Sequence, residues 1–297
     1  MNLFLVIGTL FAATAQSAQV AIAMPSVPRL DELVPTLPAN DIRGEQLNLN
    51  DREVKFTLFL PTGWNQTSNS NAAITAHFHT VPSSAIPSHV RRHSRDALVV
   101  FALGSGSSAY RVPFEDTKRF ARVISLVEQE MRQRGFTNRV TAVDVSSFSA
   151  GYGAVRELIR SPHYFPMIRR IVLLDSIYGG LLPQGTGSTT RVVDPAHIDI
   201  WVPFAKAAMR GEKTFVITLS HIEPATFAST LECANALLDR VALKLEPISP
   251  VPTHSLALVA RVDAGNFHVW SYVGTNAAAH MAHVHHMADV WKSIEAP

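Results

Sequence analysis

Short apolar runs rich in β-branched residues alternate along this chain with segments whose apolar positions recur at helical spacing, and polar or Gly/Pro-rich stretches separate them. A continuous apolar run bounded by turn residues is the pattern of a buried strand, and apolar positions three and four apart mark one face of a helix. On that basis strands are predicted over 54–60, 72–78, 97–103, 139–145, 171–174, 214–219, 256–262 and 267–273. Helices are predicted over 118–134, with Asp116 as cap and Gly135 as stop, over 154–160, from Asp194-Pro195 to Arg210, over 229–241, and over 281–292. Ser229-Thr230-Leu231-Glu232 has the spacing of a capping box. The regular alternation implies an α/β class: a mostly parallel central sheet with helices on both faces. No internal repeat interrupts it.

The ends of the chain read differently. Residues 3–15 are an apolar run followed by small residues, which reads as a secretory signal peptide over 1–23, although no Lys or Arg precedes Arg29. The run is too short and too weakly apolar for a stable membrane span, and a secreted or periplasmic location is expected. Residues 24–50, rich in Pro, Asn and Asp, read as an extended arm or linker before a domain over 51–297.

Composition narrows the function classes. With 47% hydrophobic and 17% charged residues and a net charge of +2, the composition points to neither disorder nor strong nucleic-acid binding. The basic cluster Arg91-Arg92-His93-Ser94-Arg95 is short enough to be a solvated loop. Cys233 is the single cysteine, so no intrachain disulfide can form, and its place inside a predicted helix reads as core.

One stretch carries chemistry. In Ser147-Phe148-Ser149-Ala150-Gly151-Tyr152-Gly153, small residues stand two before and two after Ser149, between a predicted strand and a predicted helix. A serine at a sharp strand-to-helix turn needs small neighbours at those two places, because larger ones collide across the turn. Ser147 as the alternative nucleophile would put Val145 at a small position. Ser149 is therefore the candidate nucleophile. A serine hydroxyl needs a base to take its proton and commonly a carboxylate to orient that base. Asp175 ends a wholly apolar strand and would emerge at the carboxyl edge of the sheet, where sites of parallel sheets form. Glu223, after the next strand, is its rival. His280, at the end of the loop leaving the last strand, is the preferred base; His283 lies one turn later, and His268 sits within a strand, where core packing is expected. His280, His283, His285 and His286 lack a carboxylate partner at metal-binding spacing, so no metal is expected.

The order serine, acid, histidine, together with the serine turn, resembles the α/β-hydrolase superfamily over residues 50–297. His77-Phe78-His79, Ser149 to Arg156 and Phe227 to Glu232 are similar to a group of bacterial members. The resemblance implies a serine hydrolase that cleaves a carboxylic ester of a small-molecule substrate through an acyl-enzyme, without a cofactor. An amidase or peptidase with the same triad, or a silent binding module on the same scaffold, is the alternative. It also implies an oxyanion site made by the amide of Ala150 and a second donor from the loop at His79 and Thr80, where many members carry a histidine and glycine. Tyr178 to Leu182 and Trp201 to Phe204 are candidate pocket walls.

Overall fold

The computed structural model describes residues 27–28, 30, 41–64, 71–137, 139–183, 190–249 and 256–295; the leader and most of the arm read from the sequence lie outside them. The strands are β1 (Gly44–Asp51), β2 (Val54–Pro61), β3 (Asn71–Phe78), β4 (Ala97–Phe101), β5 (Arg139–Phe148), β6 (Ile168–Leu174), β7 (Thr214–Leu219), β8 (Glu246–Pro247), β9 (Leu258–Ala264) and β10 (Phe267–Tyr272). They form one sheet in the order β1-β2-β4-β3-β5-β6-β7-β10-β9-β8. From β4 through β10 every neighbouring pair is parallel. The flanking pairs β1–β2, β2–β4, β10–β9 and β9–β8 are antiparallel.

The helices are α1 (Pro82–Arg91), α2 (Ser107–Glu115), α3 (Arg119–Gln133), α4 (Tyr152–Arg160), α5 (Tyr164–Met167), α6 (Pro195–Ile198), α7 (Val202–Met209), α8 (Thr230–Arg240), α9 (Ala277–His285) and α10 (Met287–Glu295). Strand side chains alternate between faces, and the core divides accordingly. Val143 and Val145 of β5, Ile171 and Leu173 of β6, and Phe215 and Ile217 of β7 join the cluster under α2, α3, α4, α7 and α8. Phe148, Val172, Leu174, Val216 and Trp270 join the opposite cluster under α1, α9 and α10. Helices thus cover both faces of the sheet, as the alternation requires.

Local chemistry explains several boundaries. The Ser229 hydroxyl accepts the amide of Glu232 while the Glu232 carboxylate accepts the amide of Ser229, so both halves of the capping box form. Asp194 caps α6 through the amide of Ala196, and the following Pro195 fits the first helical turn. In contrast, α3 starts after Lys118 with no side-chain cap, and Asp116 instead accepts the amide of Lys118.

Four expectations are corrected. Strand β1 occupies 44–51, so the end of the expected arm pairs residue for residue with β2. Helices α1 and α2 escape the pattern reading, because Pro87 and Pro113 stand inside them and read as breakers. The helix expected over 281–292 is two helices, with His286 at the C-cap of α9. The basic cluster is not a solvated loop throughout. Arg91 pairs with Asp289, and Arg92, only 6% exposed, is clamped by Glu295, bonds Thr75 and Asp144, and lies 4.0 Å above the Trp291 ring. Its partners lie far along the chain, so spacing gave no sign of them.

Candidate active site

The turn after β5 has the predicted shape. Phe148 is extended, Ser149 has φ of 47°, and a tight turn over Ser149–Gly151 leads directly into α4. A non-glycine residue with positive φ is strained by about 1–3 kcal/mol and persists only when its surroundings hold it. Two contacts do so. A Cβ on Gly151 would lie 2.4 Å from the carbonyl oxygen of Phe78, so the chain can pass there only as glycine. On the other side the Ser176 hydroxyl donates to the carbonyl of Ser149 at 2.7 Å, and the Ser147 hydroxyl lies 2.8 Å from Ser176. The small residue two before Ser149 is thus a hydrogen-bonding member of the turn as well as a space-saving one.

Asp175 follows β6 directly, also with positive φ (45°), and its amide is fixed by the carbonyl of Thr218 at 2.9 Å. Its buried carboxylate accepts four hydrogen bonds. Oδ1 takes the Ser220 amide (2.9 Å) and the Thr230 hydroxyl (2.6 Å); Oδ2 takes the Ser220 hydroxyl (2.6 Å) and Nδ1 of His280 (2.6 Å). Burial by itself raises a carboxyl pKa, but the hydrogen bond from His280, the neighbouring imidazoles of His283 and His280, and the bond from Ser220 outweigh it and hold Asp175 well below the usual carboxylate range.

His280 rides on the first turns of α9, which Asn276 caps by accepting the amide of Ala279. Because Nδ1 donates to Asp175, Nε2 of the neutral ring is left with its lone pair. The ring packs on Phe148, the residue before the nucleophile, with centroids 4.4 Å apart. Ser149, Ala150 and His280 line one cleft of about 690 Å³, together with Tyr152, Tyr178, Gly179, Gly180, Ile222, Pro224, Phe227 and the segment 105–108. Among the described residues the Ser149 hydroxyl has no hydrogen-bond partner. Catalytic bonds in unliganded sites are commonly longer than in the reacting complex.

The rivals lie elsewhere. The Glu223 side chain is 71% exposed and faces Arg191. His283 is fully buried, bonds the Thr218 hydroxyl through Nδ1 at 2.8 Å, and is pushed down to about 4 by burial. His268 pairs with Asp263 at 2.7 Å beside Trp270. In the loop after β3, the His79 amide is already bonded to the carbonyl of Phe101 and its ring meets the Tyr110 hydroxyl at 2.9 Å, while the Thr80 amide makes no backbone bond among the described residues. Neither His79 nor Thr80 lines the cleft. Of the suggested walls, Tyr178, Gly179 and Gly180 line it, whereas Trp201 and Phe204 are buried in the core. The thiol of Cys233 is buried and pushed up to about 12 by that burial, the state of an inert core cysteine.

Sequence reasoning missed Ser220 and Thr230 as holders of Asp175, and the Ser105 to Ser108 rim. Thr230 follows the capping serine of α8, so its hydroxyl reads as part of a helix start; only the proximity of that start to the end of β6 gives it another role.

No protein-family model matches the chain, and no curated protein matches it in sequence. Solved structures do. BES protein from Bacillus cereus is similar with a TM-score of 0.50 at 10% identity, over 87% of this chain and 97% of that one. A feruloyl esterase module from Clostridium thermocellum has a TM-score of 0.48 at 11% identity, over 88% and 93%. S-formylglutathione hydrolase from Agrobacterium tumefaciens has a TM-score of 0.44 at 9% identity, over 87% and 97%. Among the described residues no helix is long and apolar enough to cross a membrane. The mixed, mostly parallel sheet, its strand order and the likeness to the Bacillus cereus structure give the chain an α/β-hydrolase-type fold.

Proposed function

We propose that the protein is a serine hydrolase that cleaves a carboxylic ester of a small molecule through an acyl-enzyme on Ser149. The observation that carries this reading is the bond between Asp175 and Nδ1 of His280, which aims the basic Nε2 away from the acid, in a cleft that also holds a serine at a strained turn. The Ser149 oxygen attacks the ester carbonyl carbon as its proton passes to Nε2 of His280. The amide of Ala150 faces the developing oxyanion. His280 then returns the proton to the leaving alcohol oxygen, whose bond to carbon breaks. Water repeats the sequence on the acyl-enzyme and releases the acid. The ionised Asp175 stabilises the imidazolium formed in each half. Nothing in this sequence of steps requires a metal or organic cofactor.

A fluorophosphonate probe tests it. Intact protein should label and lose hydrolysis of 4-nitrophenyl esters in step, and Ser149→Ala should do neither; an unlabelled wild type with intact folding sinks the assignment. The apolar leader read at residues 3–15 supports export, with N-terminal sequencing of the mature protein as its check.

A further inference from the structure

Strands β5 and β6 lie side by side in parallel with Phe148 opposite Leu174, so the chain leaving β6 runs straight past the turn that carries Ser149. The first residue of that chain, Asp175, holds His280; the second, Ser176, is fully buried against the turn. Its hydroxyl donates to the carbonyl of Ser149 at 2.7 Å. A hydroxyl has one hydrogen and two lone pairs. With the Ser176 hydrogen taken, the Ser147 hydroxyl, 2.8 Å away and equally buried, must be the donor of the bond between the two serines. It has no other hydrogen-bond partner among the described residues. The hydrogen bonds therefore run one way, from Ser147 to Ser176 to the Ser149 carbonyl. A glycine in place of Ser147, the commoner residue two before the nucleophile in such turns, would leave the Ser176 oxygen without this donor.

The carbonyl at the end of this chain belongs to the peptide that joins Ser149 to Ala150. No peptide bond among the described residues is cis, and a trans peptide is planar with its C=O and N–H pointing to opposite sides. Fixing the carbonyl toward Ser176 therefore turns the Ala150 amide the other way, and Ala150 lines the cleft beside Ser149. As the second residue of the tight turn over Ser149–Gly151, Ala150 has an amide that no carbonyl of that turn can reach. It is free to face a substrate oxygen. A hydrogen bond to a carbonyl also polarises its peptide, and bonds in a buried chain strengthen one another. The O–H groups of Ser147 and Ser176 and the Ser149–Ala150 peptide are aligned head to tail, with the positive end at the Ala150 N–H.

We infer that Ser176, with Ser147 behind it, is a positioning residue for the oxyanion: it aims and polarises the Ala150 amide without touching the substrate. The assignment rests on the hydrolase reading above and adds two residues to its machinery. No proton leaves either serine. Their effect is confined to states in which the substrate oxygen carries negative charge, so it acts on the tetrahedral intermediates and not on the bound ester. The residue after the acid thus serves the other half of the site.

The experiment reads variants of the full chain on kcat and KM for 4-nitrophenyl butyrate and on the inhibition constant of 1,1,1-trifluoroheptan-2-one. That ketone adds the Ser149 oxygen to its carbonyl carbon and leaves an oxyanion in the site. Ser176→Ala should lower kcat about tenfold with KM little changed, and weaken the ketone by a similar factor. Ser176→Cys, of the same shape but a weak donor, should match Ser176→Ala; recovery of wild-type values in it would mean that the site needs bulk and not a hydrogen bond, and overturns the inference. Ser147→Ala keeps the last bond of the chain and should lower kcat and weaken the ketone about two- to threefold. Added to Ser176→Ala it should change nothing further, because its effect passes through Ser176. Independent effects in the double variant, or a folded Ser176→Ala protein within about twofold of wild type on both readouts, also overturn it. If Ser176→Ala does not fold, Ser147→Ala decides, and an unchanged inhibition constant there counts against the inference. A wild type that neither hydrolyses esters nor binds the ketone removes the hydrolase reading and this role with it, whereas an active wild type with unaffected variants overturns this inference alone.

Discussion

Replacing Asp175 by asparagine should disable His280 as base while leaving the shape of the site intact. Asparagine has one oxygen and one NH2 where aspartate has two acceptors, and the surroundings decide which goes where. The Oδ1 position faces the backbone amide of Ser220, a donor that cannot turn round, so the oxygen of the substituted side chain must sit there. Its NH2 then occupies the Oδ2 position, against the Ser220 hydroxyl and Nδ1 of His280. The hydroxyl can rotate to accept. The imidazole can accept only by moving its hydrogen to Nε2, which points a proton at Ser149 where a lone pair is needed. Loss of both the tautomer and the charge that stabilises imidazolium is expected to lower kcat about 10³–10⁴-fold, or ~4–5.5 kcal/mol of transition-state stabilisation. Initial rates on 4-nitrophenyl butyrate, read beside fluorophosphonate labelling rates and near-ultraviolet circular dichroism, measure this. A folded Asp175→Asn protein within tenfold of wild-type kcat would refute the assignment of His280 as base oriented by Asp175.

Thr230→Val removes one donor from Asp175 Oδ1 but keeps the side-chain volume, so kcat should fall about tenfold with KM little changed, and Thr230→Ser should restore it; equal loss in both variants would point to packing. His77, His89 and His283 are pushed down by burial to about 3, about 3 and about 4, from an ordinary value of 6.5. Folding excludes protons from these rings, so their contribution is complete above the unfolded value and is lost as pH falls from there toward the folded values. At pH 5 the loss is ~2 kcal/mol for each, and the urea midpoint should drop clearly between pH 7.5 and 5; a flat midpoint contradicts it. Gly151→Ala forces a methyl against the Phe78 carbonyl and should lower both the thermal midpoint and kcat, whereas Gly106→Ala, with open space around its Cβ position, should leave the thermal midpoint unchanged.

The sheet was legible because the C-terminal halves of β5, β6 and β7 are buried on both faces, so that β-branched and apolar residues crowd into Val140–Val145, Ile171–Leu174 and Phe215–Leu219, and because Ser149 and Asp175 mark the ends of the first two. Chain order alone put a serine, an acid and a histidine after β5, β6 and the last strand, and the fold gathers Ser149 and His280 at one cleft with Asp175 behind the histidine. Less was legible where prolines sit inside helices, as at Pro87 and Pro113, since local propensity and tertiary packing disagree there. Nor could spacing reveal Thr230 or Glu295 as partners of Asp175 and Arg92, because those contacts join distant segments and are made by the closing of the sheet. The loop at His79 and Thr80 reads as an oxyanion loop from its neighbours in sequence, yet the His79 amide is taken by Phe101, a strand it meets only in three dimensions.

The clamp of Arg92 on Glu295 and the pairing of Arg91 with Asp289 fasten α10 to α1 and to β3, and α10 continues from the helix that carries His280. His280, the base of the proposed mechanism, is therefore carried by a helix pair that follows Ser149 and Asp175 in the chain. Until α9 and α10 dock against α1 and β3, the Asp175 carboxylate lacks the ring that bonds it, so the docking of this last helix pair decides when the proposed site is complete.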